Sequence, residues 1–292
     1  MDATLIPDFS QVGFDDVVLN LSPFEQLYTE QRQFFTEGTE LFNKGRLFYS
    51  RRIGSAPIDQ FSNERKNDEE FQGGVKVNDE LVNAPAKVTM LNAIKIYGRT
   101  KKGLGIGFFN AITEKTTSKI ERTTQTIVGQ DTIAVKSNYE TIINPFSNYN
   151  ILLLDQQFSQ NSSIALINTN VTRDGRFRDA NVTALTWHLK TKNSKYKADD
   201  SFKMSNISDD INNPSTGYTF DNSFDYNAGH WNWEVGYNLE NKDFNPNDLG
   251  ILFSNNQQSI YGNVGWRTLQ PTKNFNRYRF GFYNQARFQH YS

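Results

Sequence analysis

The charged residues Arg51, Arg52, Asp221, Asp225, Glu234, Arg267 and Arg279 are the candidates for contact with a ligand. Guanidinium and carboxylate groups answer the hydroxyls and charges of polar solutes, and bidentate pairing makes arginine the more specific of the cations. The adjacent pair Arg51-Arg52 carries two readings. One is a salt bridge tying its own segment to Asp221, Asp225 or Glu234; the other is a contact to a bound ligand. The salt bridge comes first, because a charge taken out of water needs a partner.

Other constellations carry less. His188, His230 and His290 lie at no metal-ligand spacing, and the chain has no Cys, so neither a metal nor a cofactor is expected. Asp199-Asp200 and Asp209-Asp210 offer oxygen ligands of the kind Ca²⁺ takes, but without the D-x-[DN]-x-[DN]-G pattern. They read as solvated hairpin loops. Glu37 and Glu40 would act on a glycosidic bond only at a set separation, and beside Gly38 they read as part of a helix end. No G-x-S-x-G, H-E-x-x-H or Walker loop occurs, so no catalytic residue is assigned.

These residues must be positioned by elements of period two. Tyr218, Phe220, Phe224 and Tyr226 alternate with Thr219, Asp221, Ser223 and Asp225, and Trp231, Trp233, Val235, Tyr237 and Leu239 alternate with Asn232, Glu234, Gly236 and Asn238. Ala228-Gly229-His230 between them predicts a tight hairpin. Ile260–Arg267 and Tyr278–Phe288 repeat the pattern. Earlier segments are blurrier. Val88–Ile96 leads through Lys101-Lys102-Gly103 to Leu104–Phe108, Asn150–Phe158 pairs with Ser163–Thr172, Asn181–Lys190 pairs with Ala198–Ser205, and residues 130–143 add a strand. About ten strands result, many near the ~9–11 residues that cross a bilayer. One face is apolar and aromatic and the other polar, which is the pattern of a transmembrane β-barrel; a soluble barrel or sandwich shares the alternation.

Residues 1–74 differ from residues 75–292. Ala3–Pro7 reads as a short strand, and Ser22-Pro23-Phe24-Glu25 is a capping box that predicts a helix through Phe35, stopped at Gly38. Residues 59–72 have no periodicity and read as a loop. Gly105-Ile106-Gly107 leaves small residues on one strand face, room for the Ser22–Phe35 helix or the Phe48–Gly54 segment to pack closely.

The composition bounds the rest. With 292 residues, 14% of them aromatic, the chain is too rich in core-forming side chains for disorder. The net charge of -1 gives no reason to expect nucleic acid. Ile151–Leu154 is the longest clean aliphatic run, far short of a spanning helix, and Met1-Asp2-Ala3-Thr4 opens no signal peptide.

Several segments resemble one family in order. Ala3–Val12 and Val18–Glu25 are similar to its N-A-T-x-N-P-D-F-x-Q-V-E and V-V-N-L-x-x-F-E, and Glu30–Gly38 to its E-K-R-x-F-F-x-E-G, with Gln31 in place of Lys. Leu47–Gly54 matches F-Y-S-R-R-I-G, Gly98–Gly107 matches G-R-T-x-x-G-x-G-I-G, and Asn245–Gly250 matches N-x-N-D-L-G. The family is the domain of unknown function 5916. The resemblance implies a Gram-negative envelope protein whose barrel lies in the cell outer membrane, preceded by a signal peptide and a family-9 carbohydrate-binding-type module. The expectation is therefore an all-β, antiparallel up-and-down transmembrane β-barrel with a short N-terminal helical plug. Its partners would be outer-membrane lipid and a glycan ligand, in envelope binding or transport. An envelope hydrolase and a soluble β-rich binding protein are the alternatives. Since the family's upstream module has no counterpart here and Gln289–Ser292 falls inside an alternating strand, a fragment lacking closing strands is expected.

Overall fold

The computed structural model describes residues 2–5, 25–158, 161–209 and 213–290, the first four as backbone only. The fold is all-β and antiparallel. The strands are β1 (Asp2–Leu5), β2 (Val75–Val82), β3 (Met90–Arg99), β4 (Leu104–Thr113), β5 (Thr116–Val128), β6 (Asp131–Asn144) and β7 (Ser147–Phe158), followed by β8 (Ser162–Arg173), β9 (Asp179–Lys190), β10 (Tyr196–Ser208), β11 (Ser215–Ala228), β12 (Trp231–Glu240), β13 (Gln257–Arg267) and β14 (Arg279–Gln289). Eleven of them form one sheet in the order β1-β3-β4-β7-β8-β9-β10-β11-β12-β13-β14, and β2-β5-β6 form a second sheet.

The expected hairpins are present, including β3–β4, β7–β8, β9–β10 and β11–β12. The sheets depart from a single closed barrel in two ways. The β5–β6 hairpin leaves the large sheet, so β4 pairs directly with β7 across the excursion. The large sheet is also open: β1 and β14 stand at its edges, and no ladder joins them among the described residues. Asp199 and Asp200, expected in a loop, lie inside β10.

The predicted helix is corrected. Ser22 to Phe24 lie outside the described residues, residues 25–32 are not helical, and only single turns form at α1 (Gln33–Thr36) and α2 (Thr39–Phe42), separated by Gly38 at φ 63°. Tertiary contacts keep residues 25–32 out of a helix. Arg32 donates to the carbonyls of Ser50 and Ile53 at 2.9 Å each and to Glu30 at 2.8 and 2.9 Å, which holds its backbone extended. One turn is then enough to set Phe34 and Phe35 into the core.

Residues 25–58 pack on one face of the large sheet, the inner face. On β4, Gly105, Gly107, Phe109, Ala111 and Thr113 point inward and are buried, while Ile106 and Phe108 point outward and are exposed. The inward set continues through Tyr149, Ile151 and Leu153 on β7, Ala165 and Ile167 on β8, and Val182 and Ala184 on β9. Phe109 is its centre: its ring lies 5.4–6.4 Å from those of Phe34, Phe35, Phe42 and Phe48.

The outer face is apolar as well. Ile106, Leu154, Leu166, Leu185, Phe202 and Phe220 run across it in direct register, all exposed except the half-buried Phe220, and beside them the buried Asp200 accepts from Asn222 on the same face. Toward one end of the strands this face turns polar along a second row, in which Asn110, Asn150, Asn170, Asn181 and Asn206 oppose one another strand by strand. Toward the other end it becomes aromatic. Tyr196 stacks on Phe224, Tyr226 on Trp233, and His230 on Trp266.

Candidate functional site

The inner face divides into a covered part and an uncovered part. In the covered part, sequence and packing match closely. A Cβ on Gly105 would sit 3.0 Å from Leu41 Cδ2, and one on Gly107 would sit 3.2 Å from Phe42 Cζ. Only glycine lets the N-terminal segment lie this close to the strand. The segment that fills the space is Leu41-Phe42, between the two stretches the sequence offered. Polar clasps pin it. Asp155, fully buried, accepts from Lys44 at 2.7 Å and Arg99 at 2.5 Å. Lys95, 2% exposed, reaches across from β3 to donate to the Phe34 carbonyl and, at 2.7 Å, to the Glu37 carbonyl.

Arg51 and Arg52 sit in this segment, and their partners are not the expected wall carboxylates. Arg52 donates to Glu25 at 2.6 and 2.8 Å and to the Gly250 carbonyl at 3.3 Å. Arg51 donates to the Thr29 carbonyl at 2.5 Å and has Glu30 at 3.9 Å. The reason is distance along the sheet: β11 and β12, which carry the expected partners, lie beyond the strands the segment covers. Burial pushes the Glu30 carboxyl up, but hydrogen bonds from Arg32 and Ser50 outweigh it and bring the group down from 4.5 to about 2.

A cavity of about 650 Å³ opens where this segment meets the sheet and the connection 241–256. Glu25, Arg52, Tyr149, Arg173, Arg178 and Asp248 line it. Asp248 accepts from Arg173 at 2.8 Å and also from Arg178. The two motif segments Leu47–Gly54 and Asn245–Gly250 close on each other here: Tyr49 N donates to the Leu249 carbonyl at 2.6 Å, and Leu249 is buried.

The 241–256 connection covers one end of β10 and β11, where Ser205 accepts from Asn245 N at 3.0 Å and Gly217 lies under Phe244, and the rest of the inner face of β10–β14 is uncovered and brings the remaining candidates together only in part. Lys197 bridges Asp199 at 2.6 Å and Asp225 at 3.5 Å, and His188 contacts Asp199 from β9. Asp221 accepts from Ser201 at 2.9 Å and has Lys203 at 3.5 Å. Glu234 accepts from Asn263 at 2.7 Å, and Arg267 donates to Asn227 at 2.6 Å. Arg279 is exposed and directly opposite Arg267 on the neighbouring strand. These are contacts between neighbouring strands, a polar wall and not one pocket.

Sequence reasoning missed Lys95, Asp155, Arg173, Arg178 and Asp248. Asp248 stands in a motif that was noticed, but its partner Arg178 lies 70 residues away, and only the fold brings them together. Lys95 sits between Ile94 and Ile96 as any solvent-facing lysine would, and nothing local marks it as core.

The family described as Domain of unknown function (DUF5916) matches residues 1–292. No curated protein matches the chain.

Proposed function

The chain belongs to that family along its whole length, and from this premise we propose that it is the wall of an outer-membrane β-barrel with its N-terminal segment as an internal plug, serving the binding or passage of a polar solute. The observation that carries this reading is the exposed apolar outer face. Leu152, Leu166, Phe202, Phe224, Val235 and Ile260 all stay uncovered on strands whose opposite face is either plugged or polar. In water such a continuous patch is unfavourable at about 25 cal/mol per Å²; in hydrocarbon it is the required surface. Two rows would bound the band. The aromatics Tyr196, Tyr226, Trp233 and Trp266 take the place of an interfacial girdle. The asparagine row from Asn110 to Asn206 would mark the other interface, where uncharged amides meet headgroups and water.

Loop lengths orient the wall. Connections at 100–103, 191–195 and 229–230 at the aromatic end are short, with 268–278 there the exception, and the two longest, 114–146 and 241–256, lie at the asparagine end. Barrels of this type keep short turns on the periplasmic side and long loops outside, so the cavity of Arg52, Arg173 and Asp248 would face outward. The edges β1 and β14 must then be joined to each other or to further strands, since open edges are not tolerated in hydrocarbon. Glycans are the ligand class that the family resemblance favours.

The test is to express the chain behind a signal peptide and follow it by fractionation and unboiled gel electrophoresis. Recovery in the outer membrane with a mobility shift on boiling is expected. Recovery in the soluble fraction would overturn the reading.

A further inference from the structure

The cavity between the N-terminal segment, the end of β8 and the 241–256 connection has more donors than acceptors. Three guanidinium groups, Arg52, Arg173 and Arg178, face it with two carboxylates, Glu25 and Asp248. Asp248 is shared by Arg173 and Arg178, so one carboxylate answers two cations. The Arg173 side chain is only 4% exposed, and its Nε is buried with no hydrogen-bond partner. A buried N–H left unanswered is costly, about 1–3 kcal/mol, and more for a charged group.

The amide oxygens around the cavity are already engaged. Gln60 accepts from Arg178 N at 2.9 Å, Asn247 from Leu252 N at 2.6 Å, and Asn245 from Asn247 N at 3.0 Å. Arg52 is held differently. Its partner Glu25 has a side chain 45% exposed and lies at the rim, so this pair can open without burying a new charge. A bound group that answers this arrangement carries acceptors only and a negative charge. Carboxylates and phosphates meet both conditions and suit the arginine fork. The volume is that of a small-molecule site.

We propose that this cavity binds an oxyanion, a carboxylate or phosphate carried by a small solute. The Arg178 guanidinium receives it from within, the buried Arg173 guanidinium behind it adds positive charge, and Arg52 closes on it in exchange for Glu25. The site is built within the chain and stands whether or not the outer face meets lipid.

Titration calorimetry on the purified full chain tests it with three probes: inorganic phosphate, galacturonate, and galactose as the neutral counterpart. Saturable binding of phosphate or galacturonate is expected, with galactose weaker by about tenfold or more, the equivalent of ~1.4 kcal/mol. Phosphate alone would assign a phosphate ester as the source, and galacturonate alone a sugar acid. Arg173→Met is expected to weaken binding by removing a positive charge, but it also removes a partner of Asp248 and can unfold the chain. Two rim variants therefore decide. Arg52→Gln is expected to weaken the anion severalfold at an unchanged thermal midpoint, and Glu25→Gln to tighten it, because the competing carboxylate is gone. No binding of either anion to the folded chain, equal binding of galactose, or weaker binding by Glu25→Gln would each overturn the proposal. A failure of the fractionation test would leave these results unaffected.

Discussion

The inner face of β3–β9 and the inner face of β10–β14 belong to one sheet and share one kind of outer face, yet they are built oppositely. The first carries Ala93, Phe109, Ile151, Leu153, Ile167 and Ala184 under a covering segment; the second carries Lys197, Asp199, Asp221, Asp225 and Glu234 in contacts between adjacent strands. The outer face carries exposed apolar side chains in both halves, Ile106 and Leu166 in one and Phe224 and Ile260 in the other. The inner face is set by whatever lies on it, so it changes where the N-terminal segment ends. Stability should therefore be concentrated in the covered half, while the open half keeps its polar groups available to solvent and solute.

The sharpest way to break this comparison is at Phe109. Its truncation to Ala removes the ring against which Phe34, Phe35, Phe42 and Phe48 pack. Core Phe→Ala changes cost about 3–5 kcal/mol. The expected outcome is a large drop in unfolding free energy together with rapid proteolysis within residues 25–58. The covering segment would be shown to be dispensable if the variant kept both its midpoint and its protease resistance. Lys95→Met comes next. The thioether fills much of the same space but leaves the Phe34 and Glu37 carbonyls without their donor. A loss of about 1–3 kcal/mol is expected by denaturant titration. A gain would mean that desolvating the ammonium costs more than its two hydrogen bonds return.

The same contrast explains what could be read from the sequence. Strands β11 to β13 were legible because their two faces differ in polarity, so Trp231, Trp233 and Val235 alternate cleanly with Asn232 and Glu234. Strands β4, β7 and β8 blurred because both faces are apolar; Ile151-Leu152-Leu153-Leu154 is a run of four with no alternation. The β5 strand was missed for a related reason, since Thr116–Val128 is mostly threonine and charge and joins a separate small sheet. The expected helix fails over residues 25–32 because Arg32 ties that stretch to the carbonyls of Ser50 and Ile53, contacts that no local signal announces. Of the candidate site, the polar identity of Asp221, Asp225, Glu234 and Arg267 was readable from alternation. The pairings of Arg52 and Asp248 were not, because they join parts of the chain with no sequence signal of proximity.

Acid should loosen the covered half before the open one. The Glu30 carboxyl stands at about 2 against an unperturbed 4.5. A depressed carboxylate contributes stability that is present above the unfolded value and is lost as pH falls through the folded one. Protease sensitivity of residues 25–58 should thus rise between about pH 4.5 and pH 2, and Glu30→Gln should remove much of that dependence. An unchanged profile in Glu30→Gln would place the acid response elsewhere.

The smallest effect is expected in the open half. Lys197 makes the best-formed ion pair there, at 2.6 Å from Asp199, with both side chains more than a third exposed. Such pairs contribute about 0–1 kcal/mol, because water and salt answer each charge nearly as well as the partner does. Lys197→Met should therefore shift the unfolding free energy by less than about 1 kcal/mol, well below Phe109→Ala. High salt should shrink even that difference. If Lys197→Met instead matched Phe109→Ala, the polar wall would be carrying the fold as a core does, and its charges would have to be as closely enclosed as Asp155 is by Lys44 and Arg99.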